Sequence, residues 1–133
     1  MNRCFTALLL VCALTSGCGE MQSRRVSQLD ESVIAYGQAL RWGRYSDADI
    51  FQMDHDGTHH RIDEDKMKNI RITEYSVENK VVNADATSAK VSGEIEYFNT
   101  DYATVETVPF KQTWWYNDKL KHWLVEGPLP AFK

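Results

Sequence analysis

The sequence is poor in the residues that mark several common protein classes. Three prolines and seven glycines in 133 residues are too few for a disordered or fibrous chain, and a hydrophobic content of 43% suffices for one core. Fifteen basic residues against nineteen acidic ones give a net charge of −4, so the chain lacks the basic excess typical of nucleic-acid-binding proteins. The composition therefore predicts one folded domain and no nucleic-acid partner.

Long hydrophobic runs are also missing. The main apolar run, Phe5 to Leu14, would cover roughly 15 Å as a helix, against a hydrocarbon core of about 30 Å, so it is too short to span a bilayer. Arg3 precedes this run and the small residues 15–17 follow it, which is typical of a secretory signal peptide. Residues 1–17 are therefore predicted to be removed after export.

Cysteine is scarce as well. Cys4 and Cys12 lie in the predicted leader, which leaves Cys18 as the single cysteine of the remaining chain. It has no partner for an intrachain disulfide, and a free terminal thiol is a liability in an oxidising compartment, whereas a lipidated one is inert. The segment Leu14-Thr15-Ser16-Gly17-Cys18 resembles the lipobox of bacterial lipoproteins, in which the cysteine receives diacylglycerol.

The lipobox resemblance implies a membrane-anchored protein. Acyl chains on Cys18 would supply the membrane affinity, because each buried methylene contributes about 0.8 kcal/mol, and residues 18–25 would form a short tether. Gly19 stands where an Asp would retain a lipoprotein in the inner membrane, which implies the outer membrane, facing the periplasm. Thr15 and Gly17 also fit a general signal peptidase, which would instead release a soluble periplasmic protein.

The spacing of apolar residues from Val26 onward predicts an amphipathic helix that reaches about Trp42. Gly43 ends this helix, and Ser46 is expected to cap a second, shorter helix over 47–53. The apolar face repeats at intervals of three and four residues: Val26, Leu29, Val33, Tyr36 and Leu40.

Beyond residue 69 the texture of the sequence changes to that of strands. β-Branched and aromatic residues dominate four runs, and short turn-prone separators predict that consecutive strands pair antiparallel. One face of the sheet is apolar and would bury the apolar stripe of the helix. This predicts an α+β domain over 26–133, with N-terminal helices packed on a curved antiparallel sheet of about four strands. The four runs are 70–82, 87–98, 103–116 and 120–126.

Residues 26–132 resemble the nuclear transport factor 2-like (NTF2-like) superfamily, and in particular uncharacterised proteobacterial lipoproteins of that type. The resemblance implies helices packed into the concave side of a bent sheet, with a cystatin-like helix-on-sheet fold as the alternative. The superfamily includes isomerases, dehydratases, polyketide cyclases, transport factors and assembly domains, so the fold does not fix the function. The segments that carry the resemblance are Tyr36–Gly43, Gln112–Tyr116, Trp123–Val125 and Leu129–Phe132.

Aromatic residues are the main candidates for a binding site. Five of them are expected to face inward, where they form either a packed core or the lining of a cavity for an apolar or aromatic ligand. Trp115 is expected on the opposite face from its neighbour, where an exposed ring would mark a surface for self-association or for a protein partner. The inward set is Tyr36, Trp42, Tyr97, Trp114 and Trp123.

No metal, cofactor or catalytic residue is predicted. His55 and His59 come nearest to a metal-binding pattern, because imidazole suits zinc, but Gly57 between them favours a polar loop. The acidic residues fit helix starts and turns. The sequence therefore favours a periplasmic lipoprotein with a non-catalytic binding or assembly domain. The alternative is a small-ligand binder, or an isomerase-like or cyclase-like enzyme that uses the interior.

Overall fold

The computed structural model describes residues 17–133, so the predicted leader lies outside the described residues except for Gly17. The four strands form one antiparallel sheet in the order β1-β2-β3-β4, with the helices on one face. The predicted α+β class and the antiparallel meander are confirmed. The elements are α1 (Gly17–Arg41), α2 (Tyr45–Asp49), β1 (Ile70–Val82), β2 (Ser88–Asn99), β3 (Thr104–Asn117) and β4 (His122–Val125).

The strand positions agree with the sequence prediction to within two residues at every end. The alternation predicted for the central strands is also observed. In β2, Val91, Ile95 and Tyr97 are buried on the inner face, while Lys90 and Glu94 on the opposite face are exposed. The period of two in a strand therefore identified the inner face correctly.

The helices differ from the prediction at their ends. Residues 18–25, expected to be a tether, are the first turns of α1, and an ion pair of 2.7 Å between Arg24 and Glu20 spans one of these turns. All residues of 17–24 are exposed. The second helix ends at Asp49, and Ser46 lies within its first turn instead of capping it. Within the described part of the chain, no helix has both the length and the apolar composition needed to cross a bilayer.

The apolar face of α1 packs against the inner face of the sheet. Leu29, Tyr36 and Leu40 are fully buried in this layer. Gly37 lets the helix approach β1 closely, since a Cβ atom there would lie 2.6 Å from Cδ1 of Tyr75. An ion pair between Asp30 and Lys80 joins the same two elements nearer the N-terminal end of the helix.

The pairing of β1 with β2 is irregular. The pairing of these strands shifts register twice, between Ile72 and Glu74 and between Val77 and Asn79, and such bulges bend and twist a sheet. Gly93 lies opposite Val77, beside the second shift. A Cβ atom at Gly93 would come within 1.8 Å of the carbonyl oxygen of Ser76, so the two strands approach closely only because this residue has no side chain.

Candidate functional site

The concave interior is filled by an aromatic cluster formed by Tyr36, Phe51, Tyr75 and Trp114. The Tyr36 ring lies at the centre, and its centroid is 5.6 to 6.0 Å from those of the other three rings in edge-to-face contacts. Tyr75 also stacks on Phe110 at 4.6 Å. These are the distances of favourable aromatic packing, so the rings occupy the space in which an internal ligand would lie.

The polar atoms of the aromatic cluster are satisfied unequally. The amide oxygen of Gln112 accepts hydrogen bonds from the Tyr75 hydroxyl at 2.7 Å and from the Trp114 indole nitrogen at 3.1 Å. The Tyr36 hydroxyl is buried and finds no partner among the described residues. Burial, and then the nearby carboxylate of Asp49, raise the pKa of Tyr36 well above its usual value. Burial also raises the pKa of Tyr75, with a further contribution from Tyr36. Both phenols therefore stay neutral at physiological pH.

Removing the two hydroxyls is expected to have opposite effects. Tyr36→Phe deletes a buried polar atom without a partner, so its stability should be unchanged or higher by about 1 kcal/mol. Tyr75→Phe deletes the donor to Gln112 and should cost about 1 kcal/mol. Urea unfolding of the two variants measures this difference, and a clear loss of stability in Tyr36→Phe would contradict it.

The same variants carry a pH signature. Because the folded-state pKa values are raised above the ordinary value of 10.0, the unfolded chain ionises first as the pH rises. The stability from these groups is therefore complete below about pH 10 and is lost at higher pH. Each Phe variant lacks one such group, so its free energy of unfolding should fall less steeply above pH 10 than that of the parent.

Four of the five aromatic residues expected to face inward are buried there. Tyr36, Trp114 and Trp123 are fully buried, and Tyr97 is almost so. The Trp123 indole nitrogen donates to the carbonyl oxygen of Arg25 at 2.9 Å, which fixes α1 on the end of the sheet. These residues form a packed interior.

The inward orientation predicted for Trp42 is wrong. Its side chain is 71% exposed. The buried face of α1 runs through Tyr36 and Leu40, and position 42 lies off the three-and-four spacing that defines this face. The helix ends at Arg41, and Gly43 then takes a left-handed conformation with a φ of 67°.

Trp115 faces away from Trp114, as predicted, but the prediction that it is exposed is wrong. The loop of residues 53–60 folds over this side of the sheet and leaves the side chain only 7% exposed. His55 stacks on the indole ring at 4.1 Å, and the carbonyl oxygen of Met53 accepts its N–H at 2.8 Å. The chain therefore covers the surface that the sequence assigned to a protein partner.

The histidines of this loop have structural contacts. His55 packs on Trp115, whereas His59 is exposed and pairs through its backbone with Met53. Nε2 of His60 lies 2.8 Å from a carboxylate oxygen of Asp54, and this hydrogen bond is the main cause that lowers the pKa of Asp54. Among residues 17–133, no three or more His, Cys, Asp or Glu side chains are grouped so that they could hold a metal ion.

A groove of about 460 Å³ lies outside the aromatic cluster, between residues 61–67 and residues 128–132. We call it the 61–132 groove. Its volume is within the range typical of small-molecule sites. The groove was not predicted from the sequence, because its two walls are far apart in the chain and no spacing pattern connects them.

Hydrogen bonds to the helices and the sheet hold both walls of the 61–132 groove. On one side, the backbone N–H of Ile62 donates to Asp49 at 2.7 Å. On the other, the Tyr97 hydroxyl accepts from the N–H of Lys133 at 3.1 Å, and the side-chain amide of Asn99 donates to the Lys133 carbonyl oxygen at 2.9 Å. These hydrogen bonds fix the positions of both walls, so the groove is part of the folded domain.

The groove combines apolar walls with positive charge. The side chains of Ile62, Leu129 and Phe132 pack on the hydrophobic core and line the groove together with the buried Met67. The charged residues of the lining are Arg61, Lys66 and Asp63, of which Lys66 and Asp63 form an exposed ion pair at 3.9 Å and Arg61 supplies the further positive charge. Such a surface suits an apolar molecule that carries an anionic group.

Comparison with solved structures identifies the fold of the chain. Neither a protein-family model nor a curated protein sequence matches the chain. An NTF2-like protein with a cystatin-like fold from Novosphingobium aromaticivorans aligns with a TM-score of 0.52 and 10% identity, over 92% of this chain and 94% of its own. The fold is therefore NTF2-like. A "putative polyketide cyclase" from Xanthomonas campestris pv. campestris aligns with a TM-score of 0.51 and 12% identity, over 80% and 92% of the two chains.

The NTF2-like fold is the fold that the sequence resemblance implied. The Novosphingobium structure is described by both terms, NTF2-like and cystatin-like, so the two alternatives named above refer here to one architecture. Identities of 10 and 12% show a shared fold alone. The function of this NTF2-like domain must therefore be argued from its own residues.

Proposed function

We propose that this protein is a lipid-anchored protein of the bacterial cell envelope whose NTF2-like domain binds an apolar, anionic ligand in the 61–132 groove. The observation that carries the proposal is that the interior of the domain is filled, whereas the groove beside it is open. Packed rings fill the interior, while the groove beside it offers apolar walls together with Arg61 and Lys66. The domain acts by binding, and its anchor keeps it at a membrane.

The anchor is supported by the position of Cys18. It follows the predicted leader directly, and it is exposed at the start of α1. The neighbouring residues of 17–24 are exposed as well, so the thiol is open to modification and the acyl chains have a free path to a bilayer. Two or more acyl chains on Cys18 hold a protein stably at a membrane.

A catalytic role for the interior is disfavoured by its packing. A substrate in the concave space would have to displace the Tyr36 ring from its contacts with Phe51, Tyr75 and Trp114. Loss of such contacts between buried aromatic rings costs several kcal/mol. A ligand in the 61–132 groove displaces only water, so binding there leaves the core intact.

The anchor is tested in cells with the full chain. We expect Cys18→Ser to abolish the incorporation of labelled palmitate and to remove the protein from the outer-membrane fraction. Cys4→Ser and Cys12→Ser are matched controls, because both residues lie in the predicted leader, and they should leave labelling unchanged. Equal fractionation of the Cys18→Ser variant and the parent, with no added mass on the first residue of either product, would contradict the anchor.

The groove is tested with an apolar anion, 1-anilinonaphthalene-8-sulfonate, added to the chain from Cys18 onward, which contains every residue of the described core. We expect saturable binding that weakens about fivefold when Arg61 and Lys66 are both replaced by Ala, as for loss of partly exposed ion pairs. Lys90→Ala with Lys111→Ala is the control, because these exposed lysines do not line the groove. Equal affinities in both double variants would contradict the assignment.

A further inference from the structure

The turn between β3 and β4, residues 118–121, presents an apolar side chain between two cations. Leu120 is 58% exposed, and Lys119 and Lys121 on either side of it are exposed too. The side-chain oxygen of Asn117 accepts hydrogen bonds from the backbone N–H groups of Lys119 and Leu120, both at 3.0 Å. The fold therefore holds Leu120 out in solvent with a fixed backbone.

This turn lies beside the exposed first part of α1. Arg25 forms an ion pair with Asp118 at 2.9 Å, and its guanidinium lies 4.4 Å from the centre of the Tyr116 ring. Arg25 is seven residues beyond Cys18 in one continuous helix, which places the two residues about 10 Å apart along the axis. The turn thus lies near the same end of α1 as the proposed lipid anchor.

The direction of β3 points the turn toward that anchor. Trp114 contacts Tyr36 in the second half of α1, whereas Asp118, four residues later, contacts Arg25. The strand therefore advances toward the N-terminal end of the helix, and the turn is its next part. The opposite end of β3, near Val105, lies roughly 40 Å away along the strand.

The charge of this end differs from that of the whole chain, which carries a net charge of −4. Arg24 and Arg25 are paired with Glu20 and Asp118. Lys119 and Lys121 have no carboxylate within ion-pair distance among the described residues, which leaves two positive charges around Leu120. An exposed apolar tip between cations fits the headgroup layer of an anionic bilayer.

We propose that the turn of residues 118–121 is a second membrane contact, which inserts Leu120 into the headgroup layer and sets Lys119 and Lys121 against anionic phospholipids. The proposal rests on the proposed anchoring at Cys18. The contact is weak alone, but a tether near the same end of α1 raises the local concentration of lipid so far that a weak contact is occupied. The bilayer then fixes how the domain is oriented.

The experiment supplies the anchor chemically, so its result does not depend on lipidation in cells. The chain from Cys18 onward is coupled through its single thiol to maleimide lipid. The lipid is held in vesicles of phosphatidylcholine with about 30% phosphatidylglycerol. Amide hydrogen exchange of residues 117–121 is then compared with that of the uncoupled protein. We expect slower exchange in this turn on coupling, and no change in residues 100–106 at the far end.

The variants identify the contact. Leu120→Asp should remove the protection, whereas Val105→Asp, which replaces a similarly exposed residue at the far end, should keep it. For the uncoupled Cys18→Ser chain, each Lys→Glu change at 119 or 121 should lower partitioning onto the same vesicles about fivefold. Equal protection in the parent and Leu120→Asp would overturn the proposal even if Cys18 is lipidated in cells. Absence of palmitate labelling in the parent protein would overturn only the anchor.

Discussion

Gly93→Ala is expected to destabilise the protein by more than about 3 kcal/mol. The added methyl group would come within 1.8 Å of the carbonyl oxygen of Ser76, which is backbone and has no rotamer with which to move away. The two strands would have to separate at the point where their register already shifts. Overpacking of a core typically costs roughly 1–3 kcal/mol and occasionally more, and the rigid contact at Gly93 places this variant at the upper end.

Gly19→Ala is the control for Gly93→Ala. Gly19 lies in the exposed part of α1, and a Cβ atom there would meet nothing within 4 Å. Alanine is the better helix former by about 1 kcal/mol, so this variant should be as stable as the parent or slightly more stable. Urea unfolding followed by tryptophan fluorescence gives both values. An ordinary substitution changes the free energy of unfolding by about 1 kcal/mol. If Gly93→Ala lowers it by no more than that, the close approach of the strands is contradicted.

Trp114→Ala is expected to cost about 3–5 kcal/mol. The side chain is fully buried, touches Tyr36 and Phe51, and donates a hydrogen bond to Gln112. Its removal would leave a cavity in the centre of the aromatic cluster and would free the amide oxygen of Gln112 from one of its two donors. The loss should appear as a lower urea midpoint and as weaker near-ultraviolet circular dichroism.

Trp42→Ala is the matched control, because it removes the same side chain from a position that is 71% exposed. Its stability should stay within about 0.5 kcal/mol of the parent. The pair also tests the corrected position of Trp42, since a residue facing the interior would show a cost close to that of Trp114→Ala. Similar losses in both variants would contradict the described end of α1.

Local periodicity explains what could be predicted from the sequence. The period of two along β2 and β3 depends only on neighbouring residues, so the inner positions of Val91, Ile95 and Trp114 followed directly from it. The three-and-four spacing of α1 identified Leu29 and Tyr36 in the same way. Packing of a one-faced helix on a one-faced sheet then gave the architecture.

The features that the sequence did not predict depend on contacts between distant segments. Trp115 is covered because residues 53–60 fold back onto the outer face, and no pattern near Trp115 encodes that loop. The 61–132 groove likewise requires residues 61–67 and 128–132 to meet. The helical start of α1 was missed because residues 18–25 have no apolar stripe, although Glu20 and Arg24 are spaced to support a helix.

The continuity of α1 from Gly17 to Arg41 has a mechanical consequence. The rod that begins beside Cys18 is the same rod that carries Tyr36 at the centre of the packed rings. Between Cys18 and Tyr36 the helix has no break about which the domain could rotate. A force or a tilt applied at Cys18 is therefore transmitted along the helical hydrogen bonds of α1 to the aromatic cluster. The domain and the first turns of α1 then reorient together.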